Sequence, residues 1–98
     1  MKIEIVTTPT FRNNIEPLLS IYPNIKDELI ALHDALLANP NAGKKVFGTQ
    51  NGFRVAIKKR GVQDGLVITT RVYFKIKEKG GEITKVYLAD IEDEKQLN

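Results

Sequence analysis

Apolar positions change period partway along the chain. Residues 2–6, "KIEIV", alternate Ile3 and Ile5 with polar neighbours, which predicts a short strand that stops at "TTPT". Phe11, Ile15, Leu18, Leu19 and Tyr22 then recur at helical spacing, with Thr10 placed to cap the helix and "YPN" to end it. A second helix is expected after Asn24. Its stripe is Ile25, Leu29, Leu32, Leu36 and Leu37, and Asp27 and Glu28 sit in the first turn, where the helix dipole favours anions. "NPNAGKK" breaks the pattern, so the two segments read as a helical hairpin.

Beyond that loop the period falls to two. "KVFG" is a brief strand and "FRVAIKK" a clear one. In "GLVITTRVYFKIK", Leu66, Ile68, Thr70, Val72, Phe74 and Ile76 fall on one side. Val67, Thr69, Arg71, Tyr73 and Lys75 fall on the other. "EKGGE" reads as a hairpin turn, "ITKVYLADI" as the return strand and "EDEKQLN" as a frayed helical turn. The expected fold class is α+β: a single domain over residues 1–98, β-α-α followed by a mainly antiparallel β-meander. The two helices bury their stripes on one face of the sheet. The other face is left for solvent or a partner, with Arg54, Lys58, Arg71, Tyr73, Lys75 and Tyr87 projecting from it.

Composition narrows the class. Ninety-eight residues at 42% hydrophobic and 28% charged make an ordinary globular chain. It has no cysteine, which removes disulfides and thiolate metal sites. The start carries no secretory pattern and no segment approaches a membrane span, so a cytoplasmic protein is expected.

The net charge of +3 conceals a strong asymmetry. Residues 1–40 hold three Lys/Arg against five Asp/Glu, residues 41–80 ten against two, and residues 81–98 two against five. A basic middle of net +8 between acidic flanks speaks to an anionic partner rather than to the fold. Lys75, Lys77 and Lys79, beside the hairpin turn, also serve to guard a sheet edge against foreign strands.

Familiar catalytic sets are absent. The single histidine, His33, reads as a surface residue of the second helix, and "GTQNG" is a turn rather than a phosphate loop. What remains is arginine, lysine and tyrosine. Arginine forks onto phosphate and tyrosine stacks on bases, a set suited to RNA. Cleaving RNA with it requires deprotonating a 2′-hydroxyl, stabilising charge on the phosphate and protonating the leaving oxygen. Arginine and lysine suit the second task, and a lysine crowded by other cations could serve the proton steps. No cofactor or metal is implied.

The order of these segments resembles the RelE/ParE toxin superfamily of bacterial type II toxin–antitoxin systems. "IEIVTTPTFRNNIEPLLSIYPNIKDELIALHDALLANPNAG" is similar to the family's strand, "TPxF" entry, helix ending near "YP", second helix and "NPxxG". "FRVAIKKRG" resembles "KIRLAIKSKG", "GLVIT" resembles "GARVIT", and "VYLADIEDEKQL" resembles "VYLLDIYDKSEK". Arg54 and Gly61 match, and Lys58 and Arg60 match in charge. The family's arginine in "GARVIT" falls on Val67, and its tyrosine and lysine in "IYDKSE" fall on Glu92 and Glu94. Arg71 lies on the same strand face as Val67 and could take the missing arginine's place.

The resemblance implies the toxin of a toxin–antitoxin pair, neutralised by a cognate antitoxin protein. Its RelE-like branch implies a ribosome-dependent endoribonuclease acting on mRNA. The expected catalytic residues are then Arg54, Lys58 and Arg71, with Lys44, Lys45, Lys59, Arg60, Tyr73 and Tyr87 binding RNA. Two alternatives stay open: a ParE-like inhibitor of DNA gyrase, and a toxin-fold protein that only binds an antitoxin.

Overall fold

A computed structural model describes residues 2–57, 65–78 and 80–93. Its elements are β1 (Lys2–Thr7), α1 (Pro9–Ile21), α2 (Ile25–Ala38), β2 (Lys44–Lys45), β3 (Gly52–Ile57), β4 (Leu66–Glu78) and β5 (Gly81–Asp93). The five strands form one sheet in the order β1-β5-β4-β3-β2. The pairs β2–β3, β3–β4 and β4–β5 are antiparallel. The first strand pairs in parallel with the last, placing Lys2 beside Ile83 and Thr7 beside Leu88. The fold is thus α+β, with a mainly antiparallel sheet.

One face of this sheet is covered by the helices. Leu66, Ile68 and Val72 of β4, Val86, Leu88 and Ile91 of β5 and Ile57 of β3 meet Phe11 and Ile15 of α1 and Ile25, Leu32 and Leu36 of α2. Burial of such apolar area supplies most of the stabilisation. α1 packs mainly along β5, and α2 along β1. Each helix keeps a narrower stripe than its period suggests, since Leu19 and Leu37 face outward. Pro17 sits on the exposed side of α1, where it removes one ladder N–H without ending the helix.

Local details depart from the sequence pattern in four places. The cap of α1 is Thr8, whose hydroxyl accepts from the Phe11 N–H at 3.2 Å, and Thr10 lies inside the helix. Pro9, next to Thr8, favours this outcome, because proline suits the first helical position. Asn24 precedes α2 as expected, yet its side chain makes no capping bond. "KVFG" yields only the two-residue β2, after which Val46 enters a turn.

The fourth departure is in β4. Register shifts between Tyr73 and Ile76, where β4 carries one residue more than β5. Such a bulge reverses the alternation beyond it. Ile76 therefore leaves the core side and joins Arg71 and Tyr73 on the other face, which no described element covers. The side chains of Phe74 and Lys75, and the tail from residue 94, lie outside the description. "EKGGE" does make the hairpin, with Gly80 and Gly81 at φ +111° and +121°.

Candidate functional site on the uncovered sheet face

Strand register sorts the predicted site residues by face. Lys44 pairs with Arg54, and Arg54 with Thr69, making one row across β2, β3 and β4. The next row runs from Gly52 through Arg71 to Tyr87 and on to Val6 of β1. Tyr73 opposes Lys85 one step further. The intervening residues Ile68, Thr70, Val72, Val86 and Leu88 are buried, so these rows share the face away from the helices. Arg54, Arg71, Tyr73, Tyr87 and Lys44 are thereby brought together. Lys45 pairs with Phe53, which packs toward the core, so Lys45 projects to the opposite side. Lys58, Lys59, Arg60 and Gly61 lie outside the described residues.

Arg54 and Arg71 are diagonal neighbours on adjacent strands, a relation that sets Cα atoms about 7–8 Å apart. Both side chains are exposed, and among the described residues neither is held by a carboxylate. Gly52, directly opposite Arg71, has no side chain to crowd it. A Cβ there would lie 2.8 Å from the Thr49 hydroxyl, so the turn after β2 closes over this position. Two guanidiniums on adjacent strands, with no carboxylate partner among the described residues, can fork onto one phosphate or onto successive phosphates.

Aromatic rings border the pair. Tyr73 and Tyr87 meet edge to face, with centroids 5.5 Å apart at 86°. This arrangement suits the ring quadrupoles and holds one ring upright against the other. Tyr73 remains 44% exposed. Together with Arg71, Thr8, Ile76 and Ala89 the two rings line an open depression of about 420 Å³. Its floor is apolar and its one described cation is Arg71, so it suits a flat ring bearing an adjacent negative charge.

Thr8 ties this depression to the rest of the fold. Its hydroxyl proton is shared between the Leu88 and Ala89 carbonyls, at 2.9 and 3.0 Å, while the same oxygen caps α1. Ala89 is the extra residue of a bulge in β5, where Leu88 pairs with Thr70 and Asp90 with Thr69. The bulge turns the Asp90 carboxylate to α1, where it accepts from Asn14 Nδ2 at 2.7 Å and from the Ile91 N–H at 2.8 Å. That carboxylate is therefore engaged at the helix side, away from the arginine pair.

Val67 pairs with Glu92, so two of the positions where the family resemblance expects a cation and a phenol are direct cross-strand neighbours. Glu94, the third, lies outside the described residues. The lone histidine, His33, is exposed on α2 beside Asp34 at 3.6 Å, far in sequence from the basic rows. Among the described residues no cluster of His, Asp and Glu could hold a metal ion, and no helix is long and apolar enough to cross a membrane.

Thr8, Ile76 and Ala89 were not legible as site residues. Thr8 lies in the break after the first strand, Ile76 reaches this face through a bulge that leaves no periodic signal, and Ala89 keeps the face of Tyr87 by alternation but carries no chemistry that marks it. No family model, curated protein or solved structure matches the chain. The resemblance to the RelE/ParE toxins rests on the quoted segments alone.

Proposed function

We propose that this chain is the toxin of a toxin–antitoxin pair, a RelE-like protein that binds messenger RNA on the ribosome and cuts it, in the cytoplasm. The observation that carries this reading is the diagonal placement of Arg54 and Arg71 on one sheet face, with no carboxylate partner among the described residues, beside the Tyr73–Tyr87 rings. Phosphate would sit between the guanidiniums, and a base would lie in the depression against Tyr73. In cleavage, the 2′-oxygen loses its proton and attacks phosphorus, the bond to the 5′-oxygen breaks, and that oxygen gains a proton. Arg54 and Arg71 stabilise the charge that builds on the phosphate, and Lys58 is the candidate for the proton steps. The antitoxin would cover the same cationic face.

A second reading follows from the Val67–Glu92 pair. A carboxylate in place of a phenol, next to an apolar side chain in place of an arginine, suits binding without cleavage. That would be an antitoxin partner with no nuclease activity, or a ParE-like protein directed at gyrase.

Inducing the protein in a bacterial host and mapping message ends tests both. New message ends that vanish in an Arg54→Ala/Arg71→Ala double variant support the nuclease. Arrest with intact messages and blocked supercoiling would move the assignment to gyrase. Unaffected growth and unchanged messages would refute the toxin reading.

A further inference from the structure

Phe47 is fully exposed, at 102% of its reference area, whereas Phe11 is buried and Phe53 packs against the core. An aromatic side chain in open water forgoes the burial that normally stabilises it. The turn that carries it is braced. The Val46 N–H donates to Gly52 O at 2.8 Å, and the Thr49 N–H to Val46 O at 3.2 Å. The Thr49 hydroxyl donates to Val46 O at 2.8 Å and accepts from the Gly52 N–H at 3.2 Å. Gly48 supplies the left-handed φ of +82° that lets the chain reverse just after the ring. The ring is thus held on a fixed scaffold at the end of the edge strand β2. Lys44 and Lys45 precede it, and Lys44 continues the row of Arg54.

We propose that Phe47 is a stacking platform for a base of single-stranded RNA that leaves the Arg54–Arg71 face across β2. Lys44 holds the backbone at the crossing and Phe47 receives the next accessible base. The inference rests on the RNA reading above and adds a second base contact to it. Charge complementarity favours this occupant, since the cations nearest the ring in sequence are lysines and no carboxylate lies between residues 35 and 63. Stacking on an exposed ring tolerates any base, so this contact contributes affinity and direction rather than sequence choice.

The test uses the full chain and a fluorescein-labelled ten-nucleotide oligouridylate. The chain has no tryptophan, so Phe47→Trp creates a single reporter at the turn. Phe47→Ala should weaken binding by about 5- to 140-fold, the range that one base–aromatic stack supplies. Phe47→Trp should restore it, with fluorescence quenched on RNA addition. Wild-type affinity in Phe47→Ala or Phe47→Leu, or an unquenched tryptophan at saturation, overturns the proposal. If Arg54→Ala/Arg71→Ala loses binding while Phe47→Ala does not, the face binds RNA and the platform is wrong. If the wild-type chain binds no oligouridylate, the platform falls, and the message-end mapping described above decides the nuclease reading separately.

Discussion

Replacing Arg71 by alanine removes one guanidinium from the uncovered face without touching the core, because its side chain is exposed and no described carboxylate depends on it. The informative readout is the salt dependence of RNA affinity. Each phosphate neutralised on a single strand contributes a slope of about −0.7 in log K against log salt. With Lys44, Arg54 and Arg71 engaged, the described face alone would give a slope of about −2.1, an affinity loss of about 18-fold between 50 and 200 mM salt. Arg71→Ala should reduce this to about −1.4 and about 7-fold, and adding Arg54→Ala to about −0.7 and about 2.6-fold. Cations outside the described residues would steepen every line equally, so the differences are the prediction. Anisotropy of a labelled oligonucleotide at four salt concentrations measures them. Lys77→Ala, at the far end of β4, is the control and should leave the slope unchanged. A slope unaltered by Arg71→Ala, or altered as much by Lys77→Ala, would refute the idea that Arg71 meets a phosphate.

Three further outcomes probe the scaffold. Thr70 is fully buried and its hydroxyl has no partner among the described residues, so Thr70→Val should stabilise the fold by about 1–3 kcal/mol, visible as a higher urea midpoint at unchanged m-value; a lower midpoint would mean the hydroxyl is satisfied. Thr8→Ala should cost about 0.5–2 kcal/mol through the lost cap, and circular dichroism melting should show it as a lowered transition. Gly43 has φ +100°, and a Cβ there would collide with the Arg54 carbonyl oxygen, so Gly43→Ala should destabilise by at least about 1–3 kcal/mol and loosen β2 from β3. Faster amide exchange at Lys44 and Lys45 would report that loosening, and unchanged exchange would count against it.

The uncovered face was legible because strand alternation is a local property. Arg54, Arg71 and Tyr73 alternate with buried neighbours over a few residues each, and no distant information is needed to phase them. Ile76 was misplaced because a bulge adds a residue without changing composition, so the pattern continues to look regular while the side chain crosses the sheet. The α1 cap was misplaced by two residues because both threonines offer the same chemistry, and tertiary bonds from Thr8 to β5 decide between them. The two lysines of β2 read alike in the sequence, although a two-residue strand must send them to opposite faces. Phe47, an apolar residue beside a glycine turn, reads as the end of a strand.

The parallel pairing of β1 with β5 has a consequence for how the chain is made. Ile83 follows its partner Lys2 by 81 residues, and β1 has no other strand to pair with among the described residues. At about 5–20 residues per second, a ribosome would take roughly 4–16 s to synthesise that interval. Throughout it, β1 and the apolar stripe of α1 wait for β5, their main partner, while α2 has only β1 and α1 to pack on. Non-local pairings of this kind close late. The nascent chain therefore displays its helices before it displays a basic face. A factor acting during synthesis would meet an amphipathic hairpin, whereas one acting on the finished protein would meet the arginines.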